Sequence, residues 1–305
     1  MEKWIIKFLY KSKLLQKTYK LFNLIKGNLF NPQEFPPGHY HSPIPSIYEI
    51  KNLESKIFHL PRSIPSVDLN EQEQIKLLED FKEYYNEIPF KSYKEEGLTY
   101  YFENEFYSYS DAIVLYCMIR HIKPKKIIEV GSGFSSCVIL DTNEIYFNDN
   151  IHCTFIEPFP ERLLSLIKTS SHKNINLLIK DVQDININMF SSLSENDILF
   201  IDSTHVSKVN SDVNHIFFNI LPNLKKGVYI HFHDIFYPFE YPKEWILGGR
   251  AWNEAYMLRA FLQYNNSFKI IFYNTYLQHI HKNKFLDEYP LCMKNTGGSI
   301  WLKKI

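Results

Sequence analysis

Five carboxylates recur through the second half of the chain, each at or near the end of a short apolar run. They are Glu129, Glu157, Asp181, Asp202 and Asp234. The apolar runs are typical of buried strands, and in an open parallel sheet ligands bind at the carboxyl ends of the strands. A single carboxylate at such a place is equally well explained as a solvated strand end. Five in succession predict a polar ligand site along one edge of a sheet.

A glycine-rich turn follows the first of these carboxylates, in the stretch KIIEVGSGFSS, residues 126–136. Gly131 and Gly133 let the backbone approach a ligand closely, and a helix that begins after them would offer free N–H groups. The dinucleotide fingerprint G-x-G-x-x-G fails, because Ser136 stands at the third glycine. Glu129 would repel a pyrophosphate but suits a cationic amino-acid group. The turn therefore favours a nucleotide-like cofactor that carries an ammonium group, such as a sulfonium compound.

Three histidines, His205, His231 and His233, fall close to the same predicted edge. His231 and His233 share one face of a strand. A single histidine in a strand is usually a hydrogen-bonded core residue, which is our interpretation of His231. His233, beside Asp234, is predicted to take the proton of a substrate hydroxyl or to ligate a cation. His205 is predicted to do either of these, or to cap the helix that follows it.

The elements that would position these residues begin after Pro124, where apolar runs alternate with amphipathic stretches. The runs are KIIEV (126–130), CTFIEP (153–158), NLLIKD (176–181), DILFID (197–202), GVYIHFHD (227–234), FKIIFYN (268–274) and GSIWLKK (298–304). Buried strands with helical crossovers give this pattern. It predicts an α/β fold with a doubly wound, Rossmann-like, mostly parallel sheet of seven strands. Further helices are predicted over residues 70–88, 111–124 and 253–265.

The chain ahead of the sheet divides into two further predicted segments. Residues 1–30 are predicted to form a basic amphipathic helix, because the first 26 residues carry seven lysines against one glutamate. Such a helix either packs on the protein or a partner, or lies on an anionic membrane surface. Residues 31–104 are predicted to form a proline-rich arm and a helical extension. Residues 105–305 form the predicted ligand-binding domain.

The overall composition sets limits on partners and location. Lys and Arg number 34 and Asp and Glu also 34, so nothing in the charge balance suggests nucleic acid as the main partner. No run approaches the ~18 apolar residues of a membrane span, and the N-terminus lacks the pattern of a signal peptide. Four cysteines without a C-x-x-C pair indicate reduced thiols. They are Cys117, Cys137, Cys153 and Cys292. We therefore expect a cytoplasmic protein with a small-molecule substrate.

The glycine-rich motif resembles the first motif of the class I S-adenosylmethionine-dependent methyltransferases, and the resemblance extends over roughly residues 105–305. That motif is acidic-x-Gly-x-Gly-x-Gly, and EVGSGFS is similar to it with Ser135 in place of the last glycine. The resemblance implies that Glu129, Gly131, Gly133 and Ser135 bind S-adenosylmethionine.

Three later motifs agree with the same family in order and spacing. FIEP carries Glu157, 28 residues after Glu129, where the family's acidic residue binds the two ribose hydroxyls. KDVQD has Asp181 and Val182 where such enzymes contact the adenine. DILFIDSTH resembles the fourth-strand motif that faces the transferred methyl group. The expected cofactor is S-adenosylmethionine.

Within this class, FIDSTH followed by VYIHFHDIFY is similar to the macrocin-type sugar O-methyltransferases, in which acids after the fourth and fifth strands hold a divalent cation. The resemblance implies that Asp202, Asp234 and His233 bind Mg²⁺ or Mn²⁺, and that His233, Asp202 and His205 are catalytic. This chain has His233-Asp234 where that branch has paired aspartates. Two versions therefore stay open, a cation that acidifies the hydroxyl and a metal-free Asp–His pair that acts as base.

The expected activity is methylation of a hydroxyl on a sugar, glycan or natural-product-like molecule. The alternatives are an NAD-dependent sugar dehydrogenase or epimerase and a non-catalytic cofactor-binding scaffold. The long connection after the fifth strand is expected to close over the substrate. Its aromatic and basic residues suit either stacking on a substrate ring or packing: Tyr237, Tyr241, Trp245, Arg250 and Trp252.

Overall fold

The computed structural model describes Thr18, residues 34–167 and residues 174–305. All of the predicted basic helix over residues 1–30 except Thr18 lies outside these residues, so both interpretations of it stay open. Among the helices that the structure describes, none is long and apolar enough to cross a membrane.

The chain forms two compact units, residues 1–57 and residues 58–305. The described part of the first contains two short helices, α1 (Ile47–Asn52) and α2 (Glu54–Ile57). The second contains the sheet and the residues predicted to bind ligands. The predicted boundary at residue 104 stays a prediction, and residues 58–104 belong to the same unit as the sheet.

A seven-stranded sheet forms the centre of the second unit. Its strands are β1 (Lys126–Val130), β2 (His152–Ile156), β3 (Ile175–Leu178), β4 (Ile198–Ile201), β5 (Tyr229–His233), β6 (Phe268–Tyr273) and β7 (Ser299–Lys304). They lie in the order β3-β2-β1-β4-β5-β7-β6, with the first five parallel and β7 antiparallel to both neighbours. The predicted α/β fold with a mostly parallel seven-stranded sheet is confirmed. Because the strand order reverses at β1 and β4, a crevice opens at their carboxyl ends.

The strands end earlier than the sequence predicts. Four of the five carboxylates lie one to three residues past their strands: Glu157, Asp181, Asp202 and Asp234. The apolar pattern runs up to these residues, but the backbone turns away from the strand direction, as at Asp234 with a φ of +57°. Glu129 alone lies inside its strand. The side chains predicted to bind ligands are therefore mostly on loops at the sheet edge.

Helices connect and flank these strands. They are α3 (Glu71–Asn86), α4 (Ser110–Ile122), α5 (Phe134–Phe147), α6 (Glu161–Leu166), α7 (Asn188–Ser191), α8 (Asp212–His215), α9 (Leu221–Asn223), α10 (Lys243–Leu247), α11 (Glu254–Leu262), α12 (Asn274–Ile280) and α13 (Lys282–Glu288). A π-helical turn, Ile216–Ile220, joins α8 to α9, and 3₁₀ turns span Val182–Asp184 and Pro290–Met293. The three predicted helices appear as α3, α4 and α11. Helix α4 ends at Ile122, because the residue before Pro124 disfavours helical backbone.

Helix α4 is the most important of these for the site. Eleven of its thirteen residues are buried, and it packs against α3 and α5. Its only buried carboxylate, Asp111, lies in the first turn. Helix α3 is tied to β6 by a hydrogen bond of 2.7 Å from the Tyr273 N–H to Gln74 Oε1. This packing fixes the start of α4 beside the sheet edge.

Candidate functional site

The glycine-rich turn closes the crevice between β1 and β4. Gly131 has a φ of +80°, and a Cβ there would lie 1.9 Å from the carbonyl oxygen of Asp202. The Gly131 N–H donates to Ile156 O at 3.0 Å, and the Asp202 N–H donates to Val130 O at 2.8 Å. The turn is thus bonded to strands on both sides. Only glycine combines this backbone conformation with this close approach.

Glu129 lies beneath the turn and is fully buried. Its carboxylate accepts hydrogen bonds from the hydroxyl of Ser135, at 2.6 Å, and from the hydroxyl of Ser136. The Ser136 hydroxyl also accepts from the Gly133 N–H at 3.0 Å. Burial raises the pKa of Glu129 to about 8, although the serine hydroxyls oppose the rise. Glu129 and Ser135 therefore brace the turn, and their contacts with a cofactor stay a prediction.

Two adjoining clefts open at this edge, with volumes of ≈ 330 Å³ and ≈ 220 Å³. Gly131, Glu157 and Asp202 line both of them. Together the clefts reach the size of a small-ligand site. Six of the seven residues predicted to bind the cofactor line one or the other: Gly131, Gly133, Ser135, Glu157, Asp181 and Val182. The structure thus brings together residues that lie up to 51 positions apart in the sequence, from Gly131 to Val182.

A larger cavity of ≈ 660 Å³ lies at the opposite edge of the sheet. Its lining includes Gly227 and Tyr229 at the start of β5 and Lys304 at the end of β7. None of the residues predicted for cofactor, metal or catalysis lines it. Because ligands of open parallel sheets bind at the carboxyl ends of the strands, we place the functional site in the two smaller clefts.

Glu157 is held rigidly where the two clefts meet. Its carboxylate accepts from the Ser132 N–H at 3.1 Å and from the Phe159 N–H at 2.8 Å. Each carboxylate oxygen can accept a further hydrogen bond. The side chain is therefore fixed by the backbone and still able to accept two ligand hydroxyls.

The predicted metal-binding residues converge beside the clefts. His233 Nδ1 lies 3.3 Å from Asp202 Oδ1 and 3.8 Å from Asp234 Oδ1. One ligand atom from each of the three residues lies within 4.8 Å of the others. Burial alone would lower the pKa of His233, but the neighbouring carboxylates of Asp234 and Asp202 and the bond to Asp111 raise it well above its usual range. This group of nitrogen and oxygen donors suits a divalent cation.

His205 joins the same group from a different loop. Its Nε2 lies 3.3 Å from Asp202 Oδ1 and 3.4 Å from Asp234 Oδ2. On its other side, the Nδ1–H donates to Glu254 Oε2 at 2.8 Å. Burial would lower the pKa of His205, but its bonds to Asp202 and Glu254 raise it to about 10. The helix after it, α8, is capped instead by Ser211, whose hydroxyl accepts from the Asn214 N–H.

Two carboxylates behind the histidines were not predicted from the sequence. Glu254 is fully buried at the first turn of α11. Asp111 accepts from His233 Nε2–H at 3.4 Å, from the Asn274 side chain at 3.1 Å and from the Gly298 N–H at 3.1 Å. The available signal was a charged residue opening a strongly apolar helix, as in DAIVLYCMI for Asp111. Each histidine therefore has a carboxylate on both sides, an arrangement that fixes its ring and favours the protonated imidazolium.

The charge of this cluster needs compensation. It contains four carboxylates and two histidines: Asp111, Asp202, Asp234, Glu254, His205 and His233. Among the described ion pairs these acids have only the two histidines as partners. Grouped, largely buried acids are stable only when protons or a cation balance them. Protonated histidines and a divalent cation both meet this need, so both versions from the sequence stay open.

His231 takes no part in this cluster. It is fully buried, and its ring stacks on Phe200 with 3.9 Å between the ring centroids. Burial lowers its pKa well below the usual value. The structure thus places His231 in the core of the sheet.

The loop after β5 divides into packed and partly exposed aromatic residues. Tyr237 and Tyr241 are buried, and the Tyr241 hydroxyl accepts from the Ala255 N–H at 3.0 Å. The other three residues of interest stack together: Arg250 Cζ lies 4.0 Å from the ring centroid of Trp245 and 5.0 Å from that of Trp252. The Trp252 ring lies 4.4 Å from the ring of His205. The two tryptophans, Trp245 and Trp252, and the Arg250 guanidinium that stacks on them form a surface beside the histidine cluster, which we call the aromatic wall.

Comparison with known proteins agrees with this location of the site. Residues 128–235 match the model of a family described as a methyltransferase domain. An uncharacterized protein of Archaeoglobus fulgidus is 37% identical over 192 residues, which cover 61% of this chain and 86% of that protein. The matched domain contains the glycine-rich turn and the carboxylates from Glu129 to Asp234.

Two solved structures are similar at low identity. One is the methyltransferase PaMTH1 of Podospora anserina bound to S-adenosylhomocysteine, with 12% identity, a TM-score of 0.42, and coverage of 86% of this chain and 98% of that one. The other is the O-methyltransferase TomG of Streptomyces achromogenes in complex with S-adenosylmethionine, with 12% identity, a TM-score of 0.43, and coverage of 84% and 96%. At this distance no role of a residue follows from either.

Proposed function

We propose that this chain is a class I S-adenosylmethionine-dependent methyltransferase that methylates a hydroxyl of a sugar, glycan or natural-product-like small molecule. The observation that carries the proposal is that Asp202 contacts both the glycine-rich turn and the two histidines. Its carbonyl oxygen packs against Gly131, and its carboxylate lies 3.3 Å from both His205 and His233. A cofactor in the clefts would therefore present its reactive end to a cluster that can accept a proton.

The residues of the clefts fit the cofactor by their chemistry. S-adenosylmethionine, when bound, supplies an electrophilic methyl group on a sulfonium centre. Glu157 has acceptor capacity left for the two ribose hydroxyls. Asp181 and Val182, at the start of a 3₁₀ turn, line the same cleft and would bind the adenine. The backbone at Gly131 leaves room for close approach of the ligand.

The histidine cluster would activate the acceptor hydroxyl. A base must lie within hydrogen-bonding reach of the proton that it removes. Glu254 accepts the Nδ1–H of His205 and would stabilise the imidazolium that forms when Nε2 takes the proton. Because its carboxylate partners raise the pKa of His205 to about 10, this version uses the minor neutral fraction of His205, which grows as the pH rises. Alternatively, Asp202, Asp234 and His233 would hold Mg²⁺ or Mn²⁺, and the cation would acidify the hydroxyl. In both versions Asp202 orients the histidines next to the acceptor.

The aromatic wall suggests how the acceptor is held. Trp245 and Trp252 offer ring faces on which a sugar or another ring can stack, next to His205.

All four cysteines are free and buried, which fits a reducing compartment and a reaction in the cytoplasm. We propose a small-molecule acceptor rather than nucleic acid.

Calorimetry followed by a transfer assay tests the proposed function. The protein should bind S-adenosylhomocysteine and not NAD⁺, and labelled methyl groups should pass from S-adenosylmethionine to small molecules or glycans in fractionated cell extract. Binding of NAD⁺ alone would instead indicate a dehydrogenase or epimerase. Tight binding of S-adenosylhomocysteine without transfer to any fraction would indicate a scaffold.

A further inference from the structure

Arg162, in the first turn of helix α6, is an exposed cation beside the cofactor clefts. Its guanidinium makes no hydrogen bond or ion pair with any residue that the structure describes. It nevertheless lines the smaller cleft together with Gly133, Ser135 and Glu157. A guanidinium that lines a cleft and has no acid as partner among the described residues can bind an anionic ligand group.

Packing holds this side chain across the glycine-rich turn. Arg162 Cδ lies 3.5 Å from the position that a Cβ on Gly133 would take. The guanidinium carbon lies 3.9 Å from the ring centroid of Phe106, a cation–π contact. Phe106 in turn stacks on Phe134, the first residue of helix α5, with the rings 16° from parallel. The arginine is therefore held over the turn by two stacked rings.

The turn itself has fewer free backbone donors than its sequence suggests. The Ser132 N–H already donates to Glu157, and the Gly133 N–H already donates to the Ser136 hydroxyl. Two backbone donors of this cleft are thus already used, and a cation from outside the turn would strengthen the binding of an anionic group there. Glu157 and Asp202 line the same cleft and would repel an anion, which adds to the need for a cation.

We infer that Arg162 binds the carboxylate of the amino-acid part of the cofactor in the smaller cleft, an inference that rests on the proposed function. The adenosine part would occupy the larger cleft with Glu157, Asp181 and Val182. A guanidinium presents parallel N–H groups that match a carboxylate in a bidentate pair, which a lysine cannot reproduce. The pair would orient the amino-acid chain, and with it the sulfonium, toward Asp202.

The test compares ligands that share the adenosine but differ in the amino-acid part. Isothermal titration is performed with S-adenosylhomocysteine, with its decarboxylated analogue and with 5′-methylthioadenosine. Arg162→Gln should weaken binding of S-adenosylhomocysteine about 10- to 100-fold and change the other two by less than about twofold. Arg162→Lys should recover only part of the loss, because it restores charge without the bidentate geometry.

Lys225→Gln is the control for net charge, because Lys225 is an exposed cation that lines neither cleft. If only net charge matters, the two glutamine variants should weaken S-adenosylhomocysteine binding equally, and that result would overturn the inference. Equal weakening of all three ligands by Arg162→Gln, or no weakening, would also overturn it while leaving the proposed cofactor in place. Failure of the unaltered protein to bind any of the three would refute the proposed function and this inference together.

Discussion

The strongest structural demand in the site falls on Gly131, and replacing it by alanine should destabilise the whole sheet. A side chain at a φ of +80° costs roughly 1–2 kcal/mol. The new Cβ would also stand 1.9 Å from the Asp202 carbonyl oxygen, so the backbones at the ends of β1 and β4 must move apart. That movement strains the 2.8 Å hydrogen bond from the Asp202 N–H to Val130 O, which is worth roughly 0.5–1.5 kcal/mol.

These contributions, with the cost of separating packed strands, give an expected loss of about 3–5 kcal/mol. For a unit of this size the midpoint of thermal unfolding should fall by roughly 6–20 °C. Thermal and urea denaturation, followed by circular dichroism, measure both quantities.

Gly133→Ala is the matched control, two residues further along the same turn. Gly133 has a φ of −174°, and a Cβ there would meet only Arg162 Cδ at an ordinary contact distance of 3.5 Å. We expect a change in the free energy of unfolding below about 1 kcal/mol for this variant. Equal stability of the two alanine variants would refute the reasoning, since it would show that the close approach at Gly131 is relieved without cost.

Three further predictions concern the cofactor, the cation and the dependence of stability on pH. Glu157→Gln should weaken S-adenosylhomocysteine binding by about 1.5–3 kcal/mol in calorimetry. Glu161 is an exposed acid outside the clefts, so Glu161→Gln should leave the affinity unchanged. Unchanged affinity in a folded Glu157 variant would remove the ribose assignment. If Asp202, Asp234 and His233 hold a cation, exhaustive treatment with EDTA should abolish methyl transfer, and added Mg²⁺ or Mn²⁺ should restore it. The affinity for the cofactor should change little. Full activity in the chelator would instead leave a histidine as the base. Because the pKa of Glu129 is raised to about 8, the folded state keeps a proton that the unfolded chain loses above about pH 4.5. The free energy of unfolding should therefore fall as the pH rises from about 5 to about 8. Glu129→Gln should flatten that part of the profile in urea denaturation, and an unchanged slope would show that Glu129 is ionised in the folded protein.

The sequence by itself determined the sheet and the edge at which the site lies. Runs such as KIIEV and DILFID are readable because alternation of buried strands and crossovers is a local pattern. Gly131 and the carboxylates after the strands follow from the same pattern, since parallel strands bring their carboxyl ends to one edge. The exact strand ends were not readable, because a turn of the backbone such as that at Asp234 leaves no mark in hydrophobicity.

Only the tertiary structure decided which side chains act together. Glu254 is hydrogen-bonded to His205, 49 residues away in the sequence, and Asp111 is hydrogen-bonded to His233, 122 residues away. Hydrophobic pattern indicates that such residues are buried but not which partner they meet, because the partner depends on strand order and on how the connecting loops fold back. The same holds for Arg162, because nothing in the sequence distinguishes it from any other charged residue of a short surface helix. Its position over the glycine-rich turn comes from the packing of Phe106 on helix α5, a contact between segments that no local pattern links.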